Sequence, residues 1–582
     1  MTRKTGTPTR LSTWQQQAIA DLHAIATEHP DTIKVITTTP TVTDTQAFMT
    51  IRLPAKDLPP GPGGLRLRDH EDFIIGVRQS RLVPPQVEVD HQRFVGHPHV
   101  LQGHRLCIYL DPAREWDPLG GMPGFLERLW SWLSDAAAGR FDAATAMYHA
   151  VGGVLHLTSG TPTIVIREPV PAKPFQHGRL LSRSAHRLDM TFTTAPSSAL
   201  VVPVLTLSSA LPLGAGLTLT QLLQLMDHAG CGGPSGQVGL GPAPARAVLT
   251  SLATSASRNA DGAHQYFTLA VPHPAGGPPH LLAGRLPVAA SDQMRRLART
   301  RTPTLDPDPA RLGMNIPIEW CRVSDERPEI TTRRDARRPV NAFQGKTVLV
   351  WGCGGIGSWA AEFITRAGAA NIRVCDEAIV TGGLLVRQDY VEADIGDDKA
   401  HALAARIRAI SDRANVSTVT GTSRNDLEDA IAGADVIIDA TVSMAVGQAL
   451  SAVAATERPH AVLAQLATDT STGTLGILTI SAPSDPDGPA VIDTRAGRTV
   501  MADPALEPYH TLWREPLDEH ELIPTRGCSV PTFHGSAADL AAVAACLVNL
   551  LAMHLTTPVS GTHLIALPHA PGSGPHHHFI AA

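Results

Sequence analysis

The chain has 582 residues, a formal net charge of −6 and a near-neutral isoelectric point. This length favours three or four domains over a single core. The charge provides no basic field that would attract nucleic acid or an anionic membrane surface, so neither is an expected partner.

The ends and the apolar runs of the chain give no sign of export or membrane insertion. The few basic residues at the N-terminus are not followed by an apolar run, as a secretory signal would require. The most apolar stretch, 199–225, is interrupted by proline, serine and glycine before it reaches the roughly 20 residues of a spanning helix. We therefore predict a cytoplasmic protein. Seven cysteines without CxxC spacing argue against a disulfide framework and leave single thiols as candidates for chemistry.

Three regions follow one another along the chain. Residues 1–151 combine helix-like ends with period-2 apolar runs, which predicts an α+β domain. Residues 152–325 are rich in Pro, Gly, Ser and Thr, with strand-like pieces and one predicted helix at 219–228; we predict a connecting middle region of unknown role. In 326–582, apolar strands alternate with Ala-rich helices, which predicts an α/β domain with a Rossmann-like parallel sheet.

The first region contains a cysteine in a distinctive setting. A proline-bounded strand is followed by His97-Pro98-His99, a glycine turn and then Cys107. Over about 82–133 this order resembles a ubiquitin-conjugating domain, whose His-Pro-Asn motif precedes the acceptor cysteine at the same spacing. The resemblance implies that Cys107 carries an acyl group and that His99, in place of the asparagine, supports the oxyanion through an imidazole N–H. The alternatives are that His99 only shapes the loop and that Cys107 is a buried strand residue.

The third region contains a glycine-rich loop directly after a strand, in the segment VLVWGCGGIGSWAAEF. Gly352, Gly354 and Gly357 form a G-x-G-x-x-G pattern, and Gly355 lies within it. Glycines at this spacing permit a tight turn and close backbone approach, while the following helix start favours phosphate. Asp376 ends the next predicted strand, where a carboxylate can bind a ribose. NAD enzymes share this much of the pattern.

Two cations after the aspartate favour phosphoryl chemistry over hydride transfer. Arg387 and Lys399 can stabilise the charge that builds when a carboxylate attacks the α-phosphate of ATP, together with Mg²⁺. Over about 333–449 the chain resembles the ThiF/MoeB/HesA group of adenylating enzymes, which includes ubiquitin-activating enzymes. The resemblance implies that Asp376 binds the ribose, that Arg387 and Lys399 contact the phosphates, and that Arg334 enters the site of the other subunit of a homodimer. A solvated charge run is the alternative for Arg334.

The same resemblance has two departures. Leu384 stands where the group has an asparagine, and Val442 stands where it has the second aspartate of its magnesium site. Asp439 remains on the same predicted strand end and is the expected Mg²⁺ ligand. A domain that binds nucleotide without turning it over is the alternative.

A second acyl-carrying cysteine is Cys528, in a Gly- and Pro-containing loop before a predicted helix. Arg526 beside it would favour the thiolate. The alternative is a buried packing thiol, a role that suits Cys353, Cys375 and Cys546 better.

Together these features resemble the fusion enzymes of bacterial CBASS antiviral operons, which attach a protein C-terminus to targets. The resemblance implies ATP-dependent adenylation of the C-terminal tail of a ubiquitin-like or other partner protein, capture on Cys528, transfer to Cys107 and conjugation to a target lysine. The rivals are a sulfur-carrier adenylyltransferase of the thiamine or molybdopterin type, which does not need the first 330 residues or so, and a degenerate nucleotide-binding scaffold.

Overall fold

The chain forms two compact units, Met1–Thr332 and Arg333–Ala582. The computed structural model describes residues 11–141, 158–208, 216–228, 244–272, 278–299, 316–331, 335–419, 431–514 and 535–582, apart from 38, 44, 92, 95–96, 101–104, 110, 172, 217, 442, 457–459, 484 and 573. The predicted boundary between 151 and 152 lies outside these residues, and the division into three domains stays a prediction.

The N-terminal region is an antiparallel sheet covered by helices, as predicted. Its helices are α1 (Thr13–Glu28), α2 (Pro112–Glu115) and α3 (Gly121–Ala137), and its strands are β1 (Lys34–Val35), β2 (Thr41–Val42), β3 (Gln46–Pro54), β4 (His70–Arg78), β5 (Gln86–Glu88) and β6 (Arg105–Leu106). The strand order is β1-β3-β4-β5-β6, with β2 beside β3. Alternate residues of β3 are buried, and α3 presents Phe125, Leu129 and Trp132 to the same core.

The middle region contains a second sheet, whose edges are joined by the chain itself. Its strands are β7 (Thr163–Ile166), β8 (Phe175–Ser184), β9 (Arg187–Thr191), β10 (Leu200–Thr206), β11 (Gln265–Val271), β12 (His280–Leu286), β13 (Glu319–Cys321) and β14 (Val323–Asp325). The order is β13-β12-β11-β10-β8-β9-β7-β14. Because only Arg322 separates the two edge strands, the sheet must curl until its edges meet.

The two faces of this curled sheet bury different sets of side chains. Val202 and Val204 of β10 belong to an apolar cluster contributed mainly by strands, whereas Leu205 faces the helices. These helices are α4 (Leu219–His228), α5 (Pro244–Arg258) and α6 (Val288–Arg299). The helix predicted at 219–228 is confirmed.

The C-terminal unit is a Rossmann-like α/β domain, and the predicted fold class is confirmed. Parallel strands β15 (Thr347–Trp351), β16 (Asn371–Cys375), β17 (Asn415–Thr418), β18 (Val436–Asp439) and β19 (Val462–Thr468) are extended by antiparallel β20 (Leu475–Ser481), β21 (Gly561–Ala566) and β22 (His577–Ala581). The order is β17-β16-β15-β18-β19-β20-β21-β22. The strand order therefore reverses between the parallel neighbours β15 and β18, which is where ligands bind in such sheets.

Helices cover this sheet, and one of them is unusually apolar. They are α7 (Gly357–Ala367), α8 (Lys399–Ile410), α9 (Met444–Thr456), α10 (Pro489–Ala502) and α11 (Ala537–Thr556). Within the described part of the chain, α11 is the one helix long and apolar enough to cross a membrane, a test that the core helix of a globular domain also passes. Its Leu540, Val543 and Leu547 are buried in the domain core.

Candidate functional sites

The glycine loop lies at the reversal point of the C-terminal sheet. Gly352 has φ 92°, a left-handed conformation that favours glycine, and its amide donates to the carbonyl of Cys375 at 2.8 Å. A Cβ on Gly357 would lie 1.8 Å from the Gly352 oxygen, so only glycine fits there. A Cβ on Gly354 would meet nothing within 4 Å, which leaves open space for a phosphate beside the backbone.

Asp376 is bonded to this loop by one carboxylate oxygen and to its own segment by the other. Oδ2 accepts from the amide of Cys353 at 2.7 Å, and Oδ1 accepts from the amide of Ala378 at 2.8 Å. Each oxygen retains a lone pair for another donor. The structure thus brings Asp376 against the glycine loop, and its binding of a ribose stays a prediction.

Lys399 lies near the same loop, and the backbone of Arg387 contacts the helix that follows the loop. Lys399 is the first residue of α8 and is buried. Its ammonium lowers the pKa of the Cys353 thiol, although burial and Asp376 together hold that pKa well above its ordinary value. The carbonyl of Arg387 accepts from the indole nitrogen of Trp359 in α7 at 3.2 Å. Their contact with phosphates stays a prediction.

Asp439 ends β18 beside the loop, paired in register with Trp351. It is 1% exposed, and its Oδ1 accepts from the amide and the hydroxyl of Thr441 at 2.8 and 2.6 Å. Burial raises its pKa, and the hydrogen bonds from Thr441 oppose this. One carboxylate suits Mg²⁺, which is usually held by one or two carboxylates and substrate phosphates. The described residues contain no group of three or more metal-ligating side chains.

Three residues near this site were not among the predicted site residues. The hydroxyl of Tyr390 donates to the carbonyl of the loop residue Cys353 at 2.8 Å. Within the described residues, Gln388 Oε1 is buried without a hydrogen-bond partner. Asp389 is buried against two helices. Their position directly after Arg387 was the available sequence signal, but their contacts depend on the tertiary fold.

Cys107 lies just after β6 in the N-terminal region and is half-buried. Its amide donates to the carbonyl of His99 at 2.8 Å, and its thiol donates to the carbonyl of Tyr109 at 3.4 Å. Burial raises the pKa of the thiol, Glu115 raises it further and Arg128 lowers it. In this structure the thiol is therefore mainly protonated at neutral pH.

His99 supports the loop through its backbone. Among the described residues it is the one non-glycine with positive φ, 62°, a conformation that histidine and asparagine adopt more readily than most residues. Its ring is 8% exposed and packs 4.6 Å from the ring of Phe141, measured between centroids. Burial, and secondarily His97, lowers its pKa. These contacts fit the loop-shaping alternative, and support of an oxyanion by the ring stays a prediction.

A pocket of about 400 Å³ lies beside the Cys107 loop. It is lined by Tyr109, Glu115, Trp116, Asp117, Gly120, Gly124, Glu127, Arg128 and Ser131. Arg128 donates to the carbonyl of Ile108 at 2.8 Å and pairs with Glu115 at 3.0 Å, which joins the pocket wall to the cysteine loop.

Cys528, Arg334 and Val442 lie outside the described residues, so their predicted roles stay predictions. Of the other cysteines discussed above, Cys353 and Cys375 are buried and Cys546 is exposed on α11. Cys546 is thus not the buried packing residue that its apolar segment suggested.

The two regions define a class of protein in which a ubiquitin-conjugating-like domain and a Rossmann-like adenylation-type domain share one chain. Models of three protein families match the chain: the Prokaryotic E2 family A at 16–151, the Cap2 central linker domain at 175–326 and the ThiF family at 340–558. The chain therefore carries E2-like, Cap2-linker and ThiF domains in that order. The predicted fusion is confirmed.

Parts of this chain are similar in sequence to known proteins. The ATP-dependent ubiquitin transferase-like protein Cap2 of Enterobacter hormaechei is 29% identical over 140 residues, which is 23% of each protein. The SAMP-activating enzyme E1 of Haloferax volcanii is 30% identical over 96 residues, 16% of this chain and 36% of the archaeal protein. The matches thus span well under two thirds of these relatives. The crystal structure of PaaA is 17% identical with a TM-score of 0.31, covering 42% of this chain and 75% of PaaA.

Proposed function

We propose that this protein uses ATP to adenylate the C-terminal carboxylate of a ubiquitin-like or other partner protein and conjugates it to a target lysine. The acyl group passes from the adenylate to Cys528 and then to Cys107. The setting is bacterial antiphage defence, and the working form is a homodimer in which Arg334 serves the partner's site. The similarity to Cap2 and to the archaeal activating enzyme supports activation and conjugation of this kind.

The observation that carries the proposal is the convergence of the glycine loop, Asp376 and Asp439 at one edge of the parallel sheet. Bound ATP would supply an electrophilic α-phosphate and pyrophosphate as leaving group. The open space beside Gly354 would take the phosphates, and Asp376 is available for the ribose. Lys399 and Arg387 would offset the charge that grows on phosphate oxygens, and Asp439 would hold Mg²⁺.

The transfer steps use the chemistry of the two thiols. The Cys528 thiolate attacks the acyl adenylate, forms a thioester and releases AMP. The Cys107 thiolate then attacks that thioester, and the Cys528 thiolate leaves. Finally a neutral lysine amine forms the amide bond, Cys107 leaves and the amine proton passes to solvent. Having both cysteines in one chain raises their effective concentration if the intervening region lets them meet.

Partner-dependent exchange of labelled pyrophosphate into ATP tests the adenylation step. We expect exchange by the full chain with Mg²⁺ and a partner protein that ends in a free C-terminal tail, and a loss of about 100-fold or more in Lys399→Ala, the size of one lost transition-state charge contact. Cys107→Ala and Cys528→Ala should exchange normally, because neither thiol takes part in adenylation. Nucleotide binding without exchange would contradict the proposal and favour the degenerate scaffold, for which Leu384 and Val442 are the sequence support.

Detection of a thioester on Cys107, and not pyrophosphate exchange, separates the sulfur-carrier alternative. Such an enzyme would also exchange pyrophosphate, but it would form no thioester on Cys107. The E2-like domain at 16–151 favours conjugation, because sulfur transfer has no use for it.

A further inference from the structure

Two buried carboxylates and one partly exposed guanidinium group join the segment after Arg387 to α7 and α8. Asp389 pairs with Arg406 of α8 at 2.6 Å, and the Nε of Arg406 also donates to Asp389 at 2.8 Å and to Glu362 of α7 at 2.9 Å. Arg366, one turn further along α7, pairs with the other oxygen of Glu362 at 2.8 Å. Asp389 is 3% exposed. Two carboxylates and two guanidinium groups thus form one network.

Each element in this network carries part of the candidate nucleotide site. The helix α7 continues directly from the glycine loop, Asp389 lies two residues after Arg387, and α8 begins at Lys399. Arg406 is about two helical turns from Lys399, or roughly 10 Å along the axis. A change at Arg406 would therefore tilt or shift the helix that presents Lys399.

The same segment is fastened at two further points. The Tyr390 hydroxyl lies 2.8 Å from the carbonyl of Cys353 and 3.3 Å from the carbonyl of Lys399, so it joins the glycine loop to the start of α8. The amide of Asp389 donates to the hydroxyl of Ser358, in the first turn of α7, at 3.1 Å. The backbone carrying Arg387 is thereby held from both sides.

Stability alone gives little reason for this arrangement. Taking the carboxylates of Asp389 and Glu362 out of water is costly, and apolar packing of the same volume is often equally stable. A network of fixed charges does restrict the relative positions of the elements that it joins, because each hydrogen bond is directional. We therefore expect the network to fix the geometry of the candidate nucleotide site more than it stabilises the fold.

We propose that Asp389, clamped between Arg406 and Glu362, is a positioning residue that sets Arg387 and Lys399 against the glycine loop to bind the phosphate groups of a nucleoside triphosphate. This inference rests on the nucleotide site of the proposed function. It does not require that the bound nucleotide be turned over.

The charge on Asp389 changes near neutral pH. Burial first, and Glu362 second, raises its pKa to about 7, against the opposing effect of Arg406. The pKa of Glu362 is lowered, because hydrogen bonds to Asp389, Arg366 and Arg406 outweigh its burial. Tyr390 also lies close enough for Asp389 to raise the pKa of its phenol. Above about pH 7 the ionised Asp389 pairs fully with Arg406, so the clamp is tightest there.

Calorimetric titration of the full chain with ATP between pH 6 and 9 tests the clamp. We expect Asp389→Asn to weaken ATP binding at pH 8 by about tenfold, the size of one charge-assisted hydrogen bond. ATP itself gains or loses protons over this pH range, but this affects the wild type and the variant equally. The wild type should therefore gain affinity relative to Asp389→Asn as pH rises through 7, a change that loss of folding would not produce.

Asp435→Asn is the matched control, because Asp435 pairs with Lys346 at 3.2 Å at the opposite edge of the sheet. It should bind ATP as the wild type does at every pH. Arg406→Gln removes the other partner of the pair and decides the matter if Asp389→Asn does not fold. Unchanged affinity and pH dependence in both would overturn the inference, as would a wild type that does not bind ATP. Tight ATP binding without pyrophosphate exchange would instead contradict adenylation and leave the clamp standing.

Discussion

The glycine loop of the C-terminal unit and the cysteine loop of the N-terminal region are built in different ways. The glycine loop is held by contacts from β16, β18, α7 and the Tyr390 segment, so several elements define it together. The cysteine loop rests chiefly on the backbone hydrogen bond from Cys107 to His99 and on one residue in a left-handed conformation, with one side-chain contact from Arg128 of α3. Under the proposed function, the glycine loop binds the same nucleotide in every cycle and can be rigid, whereas the Cys107 thiol has to be reached by several different partners.

The largest expected effect comes from the most crowded glycine. Gly357→Ala would place a methyl group against the Gly352 oxygen, and we expect it to destabilise the C-terminal unit by about 3 kcal/mol and to abolish ATP binding. Gly354→Ala meets no neighbour and should unfold as the wild type does, while still weakening ATP binding because the phosphate approaches there. Scanning calorimetry with and without ATP measures both. Equal unfolding temperatures for the two variants would show that the loop is not held as tightly as described.

Because the cysteine loop is held mainly by contacts within the loop, we expect substitution of His99 to cause a smaller loss of stability that is confined to this loop. In His99→Ala the left-handed backbone costs roughly 1–2 kcal/mol, whereas asparagine and glycine tolerate it. We expect the amide of Cys107 to exchange hydrogen about tenfold faster in His99→Ala, in line with a loss near 1.4 kcal/mol. His99→Asn should exchange as the wild type does.

His99→Gly separates the backbone from the ring. It keeps the left-handed conformation and removes the contact with Phe141. Slower exchange in His99→Gly than in His99→Ala would show that the backbone matters most. Equal exchange in the two variants, faster than in the wild type, would assign the larger share to ring packing, because both variants lack the ring.

The smallest expected effect concerns the charges around the Cys107 thiol. Glu115→Gln should lower the thiol pKa and speed alkylation at pH 7.5 by about threefold, because Glu115 is partly exposed and its field is screened. Arg128→Gln should slow alkylation by a similar factor. Iodoacetamide labelling of Cys107, followed by peptide mass spectrometry, measures the rate, and Cys546 in the same sample serves as an internal reference. Both differences should shrink in high salt, and changes in the same direction would contradict the electrostatic account.

Much of the C-terminal unit follows from sequence pattern. The alternation of apolar strands and Ala-rich helices, the glycine spacing and the position of Asp376 are local features, and the structure places them as predicted at one sheet edge. The helix at 219–228 could be predicted because its apolar period and its boundaries lie within one segment.

Other features depend on pairings between distant segments. The middle sheet closes because Val323 pairs with Ile164, and no local pattern connects these residues. The Asp389 network was missed for the same reason, since Glu362, Asp389 and Arg406 meet only after three elements have packed. The left-handed conformation of His99 depends on the loop around it. The sequence therefore indicated that His99 belongs to a motif, but not that its backbone shapes the loop.

The central claim is that the ThiF domain charges a thiol of the same chain with a partner's C-terminus. Intact-mass measurement of the full chain after incubation with ATP, Mg²⁺ and a partner protein is its most direct test. The account predicts a thiol-sensitive adduct of one partner mass less water, which Cys528→Ala abolishes, Cys107→Ala confines to Cys528 and Cys546→Ala leaves unchanged. An adduct that persists when both Cys107 and Cys528 are replaced, or no adduct despite pyrophosphate exchange, would contradict it.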